Sequence, residues 1–229
     1  MTMLAAAAAV FILMHLVIAG TPLRDVITAR IGERPYLGLF SLASVAALAW
    51  LIIAFAHGRG EAGDVVFWTV TPATRHPAIG LVFIAFLLMI PGLLTNGPTR
   101  VSGGAQVDKP SAVSGMTRIT RHPFLWGAAI WASAHLLVNG TLSAILLFGS
   151  ILFLGLAGPL SIDAKRMRAL GERYGAFKAQ TSNIPFAAIV QGRQKLKIGE
   201  IWWRLLVGVV LFALVLRFHA QMFGVNPLG

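Results

Sequence analysis

Apolar residues in this chain gather in long runs with few polar interruptions. Runs close to the 20 or so residues needed to cross a bilayer occur at 3–20, 37–57, 77–95, 123–139, 141–160 and 201–222. The pattern predicts an all-α fold: a polytopic membrane bundle of about six transmembrane helices, in a single domain over 1–229. Only Asn139-Gly140 separates the fourth run from the fifth, a tight turn signal between two helices. Over 162–179, Met167, Leu170, Tyr174 and Phe177 recur at helical spacing while Lys165, Arg166, Arg168, Arg173 and Lys178 fill other faces. That spacing predicts a separate amphipathic helix in the cytoplasmic interface. Residues 96–119, rich in Gly, Pro, Ser and Thr, predict an irregular cytoplasmic lid. The apolar stretch 184–190 is too short to span and predicts a dip into the membrane.

Composition agrees with the runs. Hydrophobic residues make up 57% and charged residues 12%, against roughly 25% charged in ordinary soluble domains. Lipid, not water, suits such an exterior. The net charge of +11 does not point to nucleic acid, because the cations flank apolar spans instead of forming a stripe. If the six spans alternate, sixteen of the nineteen Lys and Arg fall in the loops of one side, and only Arg59, Arg75 and Arg217 on the other. The positive-inside rule then predicts a multi-pass protein of a bacterial inner membrane, with basic loops cytoplasmic and both termini periplasmic. Met1 to Gly20 lacks a basic leader region, so it reads as a retained first helix. With no cysteine in the chain, disulfides, thiolate catalysis and thiolate metal sites are excluded.

Polar groups inside a span are costly and mark function. His15 sits in the first run and His135 in the fourth, neither with a carboxylate near it in sequence. Few carboxylates and no thiolates supply a zinc or di-iron site poorly; a haem iron asks only one or two imidazoles and an apolar pocket. The face Phe124, Ala128, Trp131, His135 has that composition. The bland alternative for each histidine is a hydrogen bond to a neighbouring helix. Counted from the span ends, the two histidines differ in depth by about 10 Å at 1.5 Å per residue, which disfavours an upright haem and permits a tilted one. At the start of the fourth run, Arg118, Arg121, His122 and Pro123 combine two guanidiniums with a helix N-terminus, a setting for a carboxylate or phosphate. Arg24 ends the first span, where it can meet a propionate or Asp163. Asp163 itself reads as the capping carboxylate that opens the amphipathic helix. His57, His76 and His219 lie at span ends. Thr74-Arg75-His76-Pro77 echoes Thr120-Arg121-His122-Pro123, but alternation puts the copies on opposite sides, and the echo reads as chance.

These residues also carry a resemblance. His15 with Thr21-x-x-Arg24, then Arg118-Ile-Thr-Arg-His-Pro-Phe-Leu-Trp-Gly127, then Trp131-x-x-x-His135 and Asn139-Gly140, resemble the NnrU family over nearly the whole chain. That family is similar to the 15-cis-zeta-carotene isomerase, a membrane haem b protein. The resemblance implies haem b held by His15 and His135, with His57 near a third histidine that exchanges on redox change. Arg24, Arg118, Arg121, His122 and Trp131 then become cofactor-binding candidates. It further implies a lipophilic polyene substrate and, through the family name, a link to bacterial denitrification, so a haem protein that passes electrons without isomerising anything stands beside the isomerase. A more distant likeness, Arg-His-Pro followed by Tyr174 and Pro185, is to isoprenylcysteine and phospholipid methyltransferases that use S-adenosylmethionine. Here their acidic pair is missing, since Ala164 and Lys165 follow Asp163.

Overall fold

A computed structural model describes residues 1–100 and 103–229. The described residues are mostly helical, with two short strands. Helix α1 (Thr2–Leu13) runs on into a π-helical turn at Met14–Ile18. The Thr21 hydroxyl bonds back to the Val17 carbonyl and accepts from the Leu23 amide, and Pro22 opens α2 (Pro22–Ile31), bent by 76° from α1. Gly32, at φ +84°, ends α2 and leads into α3 (Glu33–Gly58). A short strand β1 (Val66–Trp68) precedes α4 (Pro72–Leu94), which opens with a reciprocal Thr71–Thr74 capping box. Two 3₁₀ turns, Gly104–Asp108 and Pro110–Ala112, lead to α5 (Met116–Ile119) and α6 (Pro123–Val138). Strand β2 (Gly140–Thr141) pairs antiparallel with β1, and is followed by α7 (Leu142–Leu170), α8 (Glu172–Gln180), α9 (Ala187–Val190) and α10 (Trp202–Phe223).

One element differs from the sequence pattern. The helix expected over 162–179 is not separate. Nothing between 160 and 170 breaks a helix, so α7 continues through the charged stretch, and the break falls at Gly171, with φ +54°. The end of the apolar run at 160 marked a change of surroundings, not a helix terminus. Its second half, α8, buries Tyr174 and Phe177 against Ala112, Val107, Val113 and Leu170, beneath the lid. Among the described residues, four helices, α3, α4, α7 and α10, are long and apolar enough to cross a membrane, or five if the bent α1–α2 pair counts as one span. Helix α6 is apolar but only 16 residues long, about 24 Å at 1.5 Å per residue, because Pro123 and the Asn139-Gly140 turn confine it.

The helices pack in the order α10–α4–α6–α7–α1–α3, with α3 also touching α7. Approach at the centre is close. A Cβ on Gly127 of α6 would lie 2.8 Å from the Ala85 carbonyl of α4, and one on Gly155 of α7 would lie 2.8 Å from the Ala129 Cβ of α6. Small residues that let backbones meet are the usual means of helix association in lipid. The flanks are bare apolar surface: Leu39, Leu42 and Val45 on α3, and Trp202, Leu206 and Leu214 on α10, are exposed. Both chain ends lie at the same end of the bundle as the β1–β2 pair. Met1 sits beside Gly58 and Gly63, and Gly229 beside Arg75. The opposite, basic end carries the lid, α8 and the α1–α2 corner. The membrane reading thus rests on long apolar helices with apolar outer faces.

Candidate functional site

The two intramembrane histidines are prepared alike. In each, ring Nδ1 lies 2.8 Å from the carbonyl one turn earlier, Phe11 for His15 and Trp131 for His135. A carbonyl only accepts, so Nδ1 carries the proton and Nε2 keeps its lone pair. Neither Nε2 makes a hydrogen bond among the described residues. Aromatic rings surround both. His15 packs on Phe11 and Phe40, with centroids 4.6 and 5.6 Å away. His135 packs on Trp131 and Phe148, at 4.2 and 4.8 Å. A half-buried imidazole with a free Nε2 and an anchored Nδ1–H is the donor chemistry a metal-bound histidine shows, so the residues fit a haem iron on donor type.

Their levels differ. Helices α1 and α7 run parallel: Leu4 and Ala7 cluster with Ala144 and Leu147, and Gly20 meets Ser161. His15 is therefore level with about residue 156 of α7, while His135 is beside Phe148, which is a separation of about 12 Å along the axis. His57 belongs to the His135 end, not the His15 end. Two residues earlier, Phe55 packs on Phe148 at 6.0 Å, but His57 itself is exposed and points away, with its Nδ1 near the Ile53 carbonyl at 2.8 Å.

The arginines assigned to an outside anion already hold carboxylates of this chain. Arg121 is buried, and its Nε lies 2.9 and 3.0 Å from the Asp163 oxygens, its Nη2 2.5 Å from one of them. His122 Nε2 lies 2.8 Å from the same carboxylate, and the Tyr174 hydroxyl donates to it at 2.7 Å. Burial holds the His122 imidazole below the usual histidine range, so it is neutral and donates Nε2–H while Arg121 supplies the charge. Burial, reinforced by the Asp163 charge, pushes the Tyr174 phenol above its usual range. Asp163 is thus no helix cap. It sits in the interior of α7 and locks α6, α7 and α8 together. Arg118 pairs with Glu200 at 3.0 Å and donates to Gln194 at 2.7 Å; that guanidinium holds the Glu200 carboxyl below its usual range. Arg24 pairs with Glu33 at 2.8 Å and Asp25 at 3.5 Å, not with Asp163. Stretch 184–190 is tied to the same end: the Phe186 amide donates to the Ile119 carbonyl, and the Trp126 indole to Asn183.

Sequence reasoning offered Asp163 to Arg24 and missed it as the acceptor for Arg121, His122 and Tyr174, and missed Glu200 as the partner of Arg118. The available signal was scarcity: eight carboxylates stand against nineteen Lys and Arg, so an acidic residue near a span end is the natural partner of an arginine there.

Comparison with known proteins agrees with the motif. The family model described as NnrU protein matches residues 3–227. A Zea mays protein named 15-cis-zeta-carotene isomerase, chloroplastic, is 33% identical over 171 residues, which is 72% of this chain and 45% of that protein. The Arabidopsis thaliana protein of the same name is 32% identical over 192 residues, 82% of this chain and 50% of that protein. The chain spans about half the length of these curated relatives. No solved structure matches it. With the family model covering nearly the full chain, this helical membrane protein belongs to the NnrU family.

Proposed function

We propose that the chain is a haem b-binding isomerase of a bacterial inner membrane, acting on a cis double bond of an apolar polyene, with its basic end cytoplasmic. The observation that carries this reading is the matched pair His15 and His135, each with Nδ1 anchored on its own helix and Nε2 left for a ligand. The names of the relatives support the substrate class. Bound haem supplies a redox-active iron that can act on a conjugated system as Lewis acid or electron donor.

The chain's own residues do the rest. The Phe11 and Trp131 carbonyls fix the tautomer and orientation of each imidazole. Phe40, Trp131 and Phe148 exclude water and offer flat apolar walls. A cleft of about 460 Å³ opens on the other face of the same α6 turns, lined by Trp68, Thr69, Thr74, Ser133, Leu136, Leu137 and Leu152, a size ordinary for a small-molecule site. Its mostly apolar lining suits a hydrocarbon chain. The methyltransferase alternative loses its anchor, because Arg121 and His122 are committed to Asp163.

The test is an absorption spectrum of protein expressed with haem supplied and purified in detergent, oxidised and reduced. A Soret band is expected, lost or shifted in His15→Ala and in His135→Ala, together with conversion of added cis-zeta-carotene under reducing conditions. Absence of a Soret band overturns the reading. A Soret band without turnover leaves a haem protein that passes electrons and removes the isomerase.

A further inference from the structure

At the basic end, the last turns of α7 lie against the corner between α1 and α2. Gly20 meets Ser161, and Arg168 Nη2 donates to the Gly20 carbonyl at 3.0 Å. This corner gathers Arg24, Lys165, Arg166 and Arg168, with Asp25 and Glu33 as the carboxylates. Both carboxylates are largely solvated, with side chains 48% and 58% exposed, while the Arg24 side chain is 15% exposed. Lys165, half-buried, makes no ion pair or hydrogen bond among the described residues. Arg166 gives one hydrogen bond, from Nη2 to the Arg100 carbonyl at 2.6 Å, and its buried Nε has no partner among them.

An independent observation points the same way. Tyr36, in the first turn of α3, is 5% exposed, and its hydroxyl is buried with no hydrogen-bond partner among the described residues. The Arg24 guanidinium carbon lies 5.3 Å from the centre of that ring. A buried hydroxyl without a partner costs about 1–3 kcal/mol and calls for an explanation. The mechanism above uses none of these groups. Tyr36 brings a phenol beside the Arg24 guanidinium, and Lys165 and Arg166 add positive charge to the same corner.

We propose that Arg24, Tyr36, Lys165 and Arg166 form a site for the oxyanion of a membrane-resident amphiphile. Charged donors gathered at one corner bind phosphate or carboxylate. Two sources carry that chemistry at this depth. One is the phosphate of an anionic lipid in the adjoining leaflet. The other is a haem carboxylate: Tyr36 stacks on Phe40 at 5.8 Å, and Phe40 meets His15 at 5.6 Å, so the site lies next to the His15 ring cluster on the side of the basic end. The haem arm rests on the function proposed above; the lipid arm does not.

Two variants test the site, Tyr36→Phe, which keeps the ring and its packing, and the double change Lys165→Gln with Arg166→Gln. One probe is phosphatidylglycerol retained by protein drawn from mixed phosphatidylcholine and phosphatidylglycerol nanodiscs, read by native mass spectrometry. The other is haem affinity, read by titration of the absorption band. The double variant is expected to weaken binding of one probe about tenfold, as loss of about 1.4 kcal/mol does, with a smaller loss in Tyr36→Phe. Weaker lipid retention at unchanged haem affinity identifies the phosphate; weaker haem affinity at unchanged lipid retention identifies the carboxylate. If neither variant alters either probe, the site is refuted. Should the wild type bind no haem yet hold phosphatidylglycerol through these residues, the isomerase reading fails while this site stands.

Discussion

Asp163 accepts from Arg121, His122 and Tyr174 with its side chain 8% exposed. A buried ion pair of this kind adds little over a well-packed apolar pair, but removing one partner strands the other charge. Asp163→Ala is therefore expected to destabilise the protein by about 3–5 kcal/mol. Tyr174→Phe removes one hydrogen bond to a charged acceptor, about 1.5–3 kcal/mol. Unfolding in detergent micelles checks the order. Equal losses in the two variants would show that the stranded Arg121 charge is not the main cost. The arginine half of this lock was legible in the sequence, as an anion-binding motif at the start of an apolar run. The carboxylate half was not, because 42 residues separate the partners and only the packing of α6 on α7 brings them together. A hydropathy profile that falls after 160 also makes Asp163 look like the start of a new helix.

Apolar runs fix where helices exist better than where they stop. The helix at Pro123–Val138 was readable within a residue, because proline opens it and Asn-Gly closes it. The continuation of α7 to Leu170 was hidden, because leaving the membrane changes composition without breaking backbone hydrogen bonds. The β1–β2 pairing was hidden too, since strands of three and two residues carry no periodicity. How closely helices meet is set by single positions. A Cβ at Gly127 would sit 2.4 Å from Met89 Cγ and 2.8 Å from both the Ala85 oxygen and the Met89 nitrogen. Methionine can swing aside, but the two backbone atoms cannot without moving α4. Gly127→Val is expected to cost about 1–3 kcal/mol through overpacking, seen as a lower melting midpoint in micelles. Gly80, also on α4, has nothing within 4 Å of the same construction. Gly80→Ala should leave the midpoint unchanged or raise it slightly, by helix propensity alone. Equal sensitivity at the two positions would remove close approach as the cause.

The whole molecule is polar along one axis. One end carries the β-pair, both termini and the histidine His135; the other carries the lid, the Asp163 lock and the candidate oxyanion site. Most of the nineteen cations fall at this second end. Positive residues stay cytoplasmic during insertion, and the anionic leaflet they meet there attracts them further. The chain has no cysteine, so single cysteines report orientation cleanly. Glu61 and Lys195 are exposed at opposite ends. In intact cells, an impermeant maleimide should label the Glu61→Cys protein at once and the Lys195→Cys protein only after the membrane is permeabilised. The reverse pattern would put the oxyanion site outside, away from the charged leaflet that would supply its lipid. It would also place His135 and the cleft beside Trp68 toward the cytoplasm. The labelling thus decides which face of the membrane each site serves, independently of whether haem binds.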